Sequence, residues 1–148
     1  MIGLALLVTV GLASCGSKES TAAPAACAGT STEYLKALRA APEAVRLDGE
    51  TPISDCFTGA EDPGVGQAVI ETATRLNAEA RRDPGGSATV ELGYLAGAVH
   101  EGTSHVPSEA DLVRRVDTAA RYSPHGGTLG AAFERGFGKG YAAGRATG

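Results

Sequence analysis

The sequence has no excess of positive charge, no apolar segment of membrane-spanning length and no extended run of alternating polar and apolar residues. Its 13 Lys and Arg are outnumbered by 17 Asp and Glu, and the net charge of −4 argues against a nucleic-acid-binding protein, which needs a basic face. The missing alternation argues against half-buried strands. The chain also lacks the internal repeat that a solenoid requires. Glycine is abundant but has no three-residue period, which excludes a collagen-like chain.

The first fifteen residues predict where the protein resides. Met1 to Leu12 is an uncharged apolar run that is shorter than the roughly 20 residues a transmembrane helix needs. Two small residues follow it, so residues 1–14 are typical of a cleavable signal peptide. The sequence Leu12-Ala13-Ser14-Cys15 resembles the lipobox of bacterial lipoproteins. This resemblance implies acylation of Cys15 and attachment to the outward, extracytoplasmic face of the cell membrane; the alternative is an N-terminal apolar helix with a buried cysteine.

The two remaining cysteines form an even pair. Cys27 and Cys56 lie in a chain that the lipobox resemblance places outside the cytoplasm, where disulfides are favoured. A bridge between them would close a loop of roughly 30 residues and stabilise the fold by about 3–4 kcal/mol in the chain-entropy treatment. The spacing excludes a CxxC redox pair. Two free buried thiols are the alternative.

Residues 15–26 are small, polar and proline-containing, and they predict a flexible tether that keeps the domain within about 20 Å of the membrane. Residues 27–148 then show apolar stripes at three- and four-residue spacing. We predict an all-α fold, a small bundle of about four longer helices plus a short N-terminal helix pinned by the disulfide. The predicted segments begin with a helix from about Thr32 to before Pro42, a structured loop 44–58 and a helix from Asp62 to Arg82. Ser87 is predicted to cap a third helix that ends at Gly102. A capping box at Ser108–Asp111 opens a fourth helix, and a last helix runs from Thr128 to about Ala146.

Glycines recur every fourth residue in two of these helices. Glycine costs about 1 kcal/mol relative to alanine inside a helix, so such a stripe requires a compensating gain. The missing side chains would let two helix axes approach closely, and we expect the third and last helices to pack on each other within the monomer. The alternatives are self-association into a homo-oligomer, a groove for a partner, and a frayed, non-helical tail from Gly144 to Gly148. The stripe consists of Gly93 and Gly97 in the third helix and Gly136, Gly140 and Gly144 in the last.

Three histidines suggest a second kind of site. His100, His105 and His125 could hold a metal ion or small ligand if loops brought them together. The zincin pattern requires histidines four residues apart, and here the spacing is five with Gly102 between them. The simpler interpretation places His100 against a helix dipole and the other two in solvated loops.

Sequence signatures of catalysis are incomplete. The Gly-Lys pair in residues 136–140 lacks the glycine and the hydroxyl residue that a Walker A loop requires. The chain contains no Gly-x-Ser-x-Gly elbow. Two arginine pairs, Arg81–Arg82 and Arg114–Arg115, fit a solvated helix face or, alternatively, contact with anionic lipid headgroups or wall polymers.

These observations predict a membrane-anchored, non-enzymatic binding or scaffold module of the cell envelope, without a cofactor and with another envelope protein as partner. The Ala/Gly/Arg-rich part after the tether resembles small helical lipoproteins of actinobacteria, which implies an outward-facing anchor and no activity. A metal- or ligand-binding module using the three histidines is the main alternative. A small hydrolase acting on wall or lipid is a further one.

Overall fold

A computed structural model describes residues 22–59 and 62–148 of the chain. The predicted signal peptide, Cys15 and the first part of the tether lie outside the described residues. The α-helices within the described ranges are α1 (Ser31–Leu38), α2 (Pro63–Arg82), α3 (Ser87–Gly102), α4 (Ala110–Ala120) and α5 (Ala131–Thr147). The predicted all-α bundle is therefore confirmed. Within the described residues, every helix is too short or too polar to cross a lipid bilayer.

The segment predicted as a structured loop contains regular structure. Strands β1 (Arg46–Leu47) and β2 (Thr51–Pro52) form an antiparallel pair, with Leu47 opposite Thr51. Asp48 and Gly49 close the turn with positive φ angles of 50° and 80°, a conformation in which glycine has no steric penalty. A strand of two residues is too short to show alternation, which explains why the sequence pattern did not predict it.

Helix starts follow local capping chemistry. Thr30 caps α1 in a reciprocal box with Glu33, whose pKa is lowered mainly by the hydrogen bond from the backbone N–H of Thr30. The Asp62 carboxylate caps α2, accepting from the N–H of Gly64 at 2.8 Å. Both predicted starts are confirmed to within about one residue.

Three predicted starts need correction. Ser87 does not cap α3: it is the first helical residue, and Gly86 occupies the cap position. The capping box at Ser108 and Asp111 is absent, because Pro107–Glu109 form a 3₁₀ turn that leads directly into α4. α5 begins at Ala131 and not at Thr128, because Gly130 has an extended backbone.

The predicted disulfide is present. Cys27 and Cys56 are bonded, with their Cα atoms 5.4 Å apart, and they join two short 3₁₀ helices, Ala25–Ala28 and Ile53–Phe57. The first of these helices lies partly in the segment predicted as tether. The Tyr34 hydroxyl of α1 donates to the carbonyl of Cys27 at 3.0 Å, and burial raises the pKa of this phenol. The hydrogen bond of Tyr34 therefore connects α1 to the disulfide-linked segment at Cys27.

α3 is the central element of the bundle. Every residue from Glu91 to Val99 is buried, and α3 contacts α2, α4, α5 and the 3₁₀ helix Ile53–Phe57. A helix that is apolar on all sides has no solvent face of its own. The other elements therefore arrange themselves around α3 as a common core.

α3 and α5 pack backbone against backbone, as the glycine stripe predicted. A Cβ atom at Gly93 would overlap the carbonyl oxygen of Phe137, and one at Gly140 would overlap that of Val90. One turn further along, a Cβ atom at Gly97 would overlap the carbonyl oxygen of Tyr141. One at Gly144 would overlap that of Tyr94. Close helix contacts of this kind gain dispersion and Cα–H···O contacts in place of side-chain packing.

Alanine substitutions in α5 test this contact. Gly140→Ala should lower the free energy of unfolding by roughly 3 kcal/mol, because α5 must move away from α3 to accept the methyl group. Gly138→Ala is the matched control in the same helix, since a Cβ there meets no atom within 4 Å. The control should raise the free energy of unfolding by up to about 1 kcal/mol. Urea denaturation measures both, and equal effects of the two variants would contradict the close contact.

A carboxyl group lies at the edge of this core. Glu91 of α3 is 9% exposed, and its pKa is raised, chiefly by desolvation and further by the nearby charge of Glu79. Hydrogen bonding to Ser87 and the charge of Arg39 act in the opposite direction. A raised pKa in the folded state means that the protonated form is favoured on folding.

The pH dependence of stability follows from this shift. The contribution of Glu91 is fully present below its unfolded-state pKa of about 4.5 and is lost as the pH rises through the higher folded-state value. Glu91→Gln should therefore be more stable than the unsubstituted chain at about pH 7, with a smaller difference at about pH 4. Thermal denaturation at the two pH values measures this, and Glu50→Gln, at an exposed position in the turn between β1 and β2, is the control. A destabilised Glu91→Gln variant at neutral pH would contradict the assignment.

Candidate binding surface

The residues singled out in the sequence are distributed over separate parts of the fold. The glycine stripe lies inside the monomer and is used by the contact between α3 and α5. The three histidines do not converge: His105 and His125 are exposed in loops, and His100 is on α3. Nowhere in the described part of the chain do three His, Cys, Asp or Glu side chains come together as they would to hold a metal ion.

His100 belongs to a smaller cleft where α3, α4 and α5 meet. Its Nε2 atom lies 3.1 Å from each carboxylate oxygen of Asp117, and its ring meets Tyr141 edge-on at 5.4 Å. On the other side, Arg121 stacks on Phe137 at 4.7 Å and pairs with a carboxylate of α5. The charged groups of this cleft of about 350 Å³ are thus engaged with each other, and they join three helices.

A larger groove runs between α2 and α4. Its volume is about 520 Å³. The two helices run in the same direction here, because Gly66 faces Leu112 at one end and Asn77 contacts Ala120 at the other. The groove is lined by Ile70, Thr74, Asn77, Ala78 and Arg81 of α2 and by Arg114, Arg115, Thr118, Ala119 and Tyr122 of α4 and the residues after it.

The charges along this groove have one sign. Arg81, Arg114 and Arg115 line it, and none of the described lining residues is acidic. Arg114 pairs with Asp111 one turn earlier in α4, so Arg115 is the arginine at that end without a carboxylate partner among the described residues. This local concentration of positive charge contrasts with the net charge of −4 of the whole chain. Since α2 and α4 are parallel, Arg81 lies at one end of the groove and the two arginines of α4 lie towards the other. The groove therefore presents an apolar floor between two basic ends.

The floor is held by a buried amide. Asn77 is 2% exposed, and its Nδ2 atom donates to the carbonyl of Ala120 at 2.7 Å. Its Oδ1 atom accepts from Nε of Arg81 at 3.0 Å. One side chain thus satisfies the C-terminal end of α4 and orients an arginine of the groove.

Hydroxyl and aromatic groups complete the lining. Thr74 and Thr118 donate to the carbonyls of Ile70 and Arg114, each four residues earlier in its own helix. Tyr122 is 56% exposed, and among the described residues it is the one large hydrophobic side chain that is exposed. An exposed aromatic ring beside arginines is typical of the residues that anchor protein interfaces.

Other surface depressions lack this charge pattern. The cleft of about 530 Å³ beside β1 carries two acids and two bases, Glu33 and Asp48 with Lys36 and Arg46. Its charges balance, so it does not favour a ligand of one sign. The groove between α2 and α4 is therefore the best candidate for a binding surface.

Sequence reasoning identified only part of this groove. The pairs Arg81–Arg82 and Arg114–Arg115 stood out as basic positions, whereas Asn77 and Tyr122 did not. Asn77 occupies a position of the apolar stripe of α2, and a polar residue on a buried face is the signal that could have identified it. Tyr122 follows the last helical turn of α4, and its exposure depends on tertiary packing.

No protein-family model, curated protein or solved structure matches this chain.

Asn77→Ala tests the support of the groove. Removing the amide leaves the carbonyl of Ala120 without its buried donor, so the free energy of unfolding should fall by about 1–3 kcal/mol. Thr74→Ala is the control, because Thr74 is exposed and bonds only within its own helix. The control should change stability by less than about 0.5 kcal/mol in chemical denaturation. If the two variants are equally stable, Asn77 does not join α2 to α4.

Proposed function

We propose that this protein is a lipid-anchored, extracytoplasmic binding module that uses the groove between α2 and α4 to hold another component of the cell envelope. The observation that carries the binding role is the apolar groove with basic ends on an otherwise acidic chain. A concave apolar surface with a few polar groups is the usual form of a binding site.

The chemistry of the lining favours binding over catalysis. The hydroxyls of Thr74 and Thr118 are engaged with backbone carbonyls of their own helices. The groups left to meet a ligand are apolar surface, an aromatic ring, the guanidinium group of Arg115 and the terminal nitrogens of Arg81, since Arg114 pairs with Asp111 and Nε of Arg81 donates to Asn77. Guanidinium groups have a very high pKa and do not serve as general bases, but they bind carboxylates and phosphates in a defined geometry.

Two features support the extracytoplasmic location. The lipobox-like residues Leu12 to Cys15 would direct acylation at Cys15, and two acyl chains hold a protein stably at a membrane. The disulfide between Cys27 and Cys56 is of the kind that persists in oxidising compartments. The short segment between Cys15 and the folded domain would keep the start of the domain within about 20 Å of the membrane surface.

Cys15→Ala tests the anchor. The variant should move from the membrane fraction to the soluble fraction and should lose labelling by radioactive palmitate, because the acylated thiol is gone. Ser17→Ala, two residues away, keeps the cysteine and should stay in the membrane fraction with its label. Membrane association of Cys15→Ala after a carbonate wash, or an unlabelled parent protein, would refute lipid anchoring.

A further inference from the structure

We propose that the groove between α2 and α4 binds one acidic amphipathic α-helix of a partner protein. The apolar side of that helix would lie on the groove floor, with carboxylates near each end meeting Arg81 at one end and Arg115 at the other. This inference rests on the proposed function, since it names the partner class of the same site.

The shape of the groove indicates a rod-like occupant. Its lining positions recur at three- and four-residue spacing from Ile70 to Arg81 on α2 and from Arg114 to Tyr122 beside it. At 1.5 Å per residue, these stretches are about 16 Å and 12 Å long. That length matches about three turns of helix. A helix laid along two parallel helices would complete a three-helix packing, which is a common mode of peptide recognition.

The positions of the arginines indicate the charge pattern of the occupant. The basic ends are separated by nearly the length of the lined stretch of α2, about 16 Å. Two carboxylates on one face of a helix are separated by that distance when they are about eleven residues apart, or three turns. The partner helix should therefore have an apolar stripe bounded by Asp or Glu at that spacing.

This charge pattern disfavours the other occupants. A second copy of the chain that used the same groove in a symmetric dimer would place arginines against arginines. A fatty acid has one carboxylate, so it would neutralise one basic end only. A flat anionic membrane would contact the rims and leave the apolar floor uncovered. A helix with acidic ends satisfies both ends and the floor.

The test compares two labelled peptides of about 15 residues that share one apolar stripe and carry either Glu or Lys at the two end positions. The receptor is the full 148-residue chain with Cys15→Ala, oxidised at Cys27 and Cys56. By fluorescence anisotropy, the Glu peptide should bind about tenfold more tightly than the Lys peptide. Its affinity should fall as the salt concentration rises from about 50 to 500 mM.

Charge reversal ties the preference to the groove. The double variant Arg81→Glu with Arg115→Glu should reverse the preference and favour the Lys peptide. The matched control, Arg135→Glu with Lys139→Glu, changes the net charge equally at exposed positions of α5 and should keep the preference for the Glu peptide. If the reversed variant unfolds, Arg81→Gln with Arg115→Gln should abolish the preference.

Several results would overturn the inference. These are no detectable binding of the Glu peptide, equal binding of the two peptides, a preference that survives charge reversal, and peptide-induced amide shifts that map outside the groove in NMR spectra. Binding of phosphatidylglycerol vesicles or oleate at the groove in place of the peptide would assign it to lipid. Anchoring at Cys15 is measured separately, so a failed peptide test with intact membrane attachment rejects only the partner class.

Discussion

The fold depends on the backbone contact between α3 and α5. Glycines of each helix face carbonyl oxygens of the other, so neither helix can accept even a methyl group at Gly93 or Gly140 without moving. This contact places α5 against one side of α3 and leaves the remaining sides for α2, α4 and the disulfide-linked segments. The cost of glycine in two helices is offset by close packing along their length.

The same contact determines which surface remains for a partner. Because the glycine stripe is used within the chain, the glycine face of α5 is covered by α3, and the arginine-lined groove between α2 and α4 is the surface that remains as a candidate. The chain as a whole is acidic, whereas the groove is lined by three arginines and by no acid among the described lining residues. Asp111 beside the groove pairs with Arg114, and Arg81 and Arg115 make the region positive. An outward-facing anchor at Cys15 would present this region to other components of the envelope.

Local signals in the sequence account for most of the fold. Asp62 and Pro63 marked the start of α2, and the even pair of cysteines predicted the disulfide. Glycines at every fourth residue, among them Gly93 in α3 and Gly140 in α5, predicted the packing of these two helices. The hairpin at Asp48 and the late start of α5 were missed, because they depend on two-residue strands and on an extended glycine. The groove could not be predicted, since its charge pattern arises only when α2 and α4 lie parallel. Arginines far apart in sequence then occupy its two ends.

Native-state hydrogen exchange of the full-length, oxidised chain tests the central claim most directly, because it reports the stability of each helix separately. If the contact between α3 and α5 is the basis of the fold, the slowest amides of both helices will exchange with the same free energy, equal to that of global unfolding. Exchange of all α5 amides through a separate opening of lower free energy, while α3 stays protected, would contradict the account.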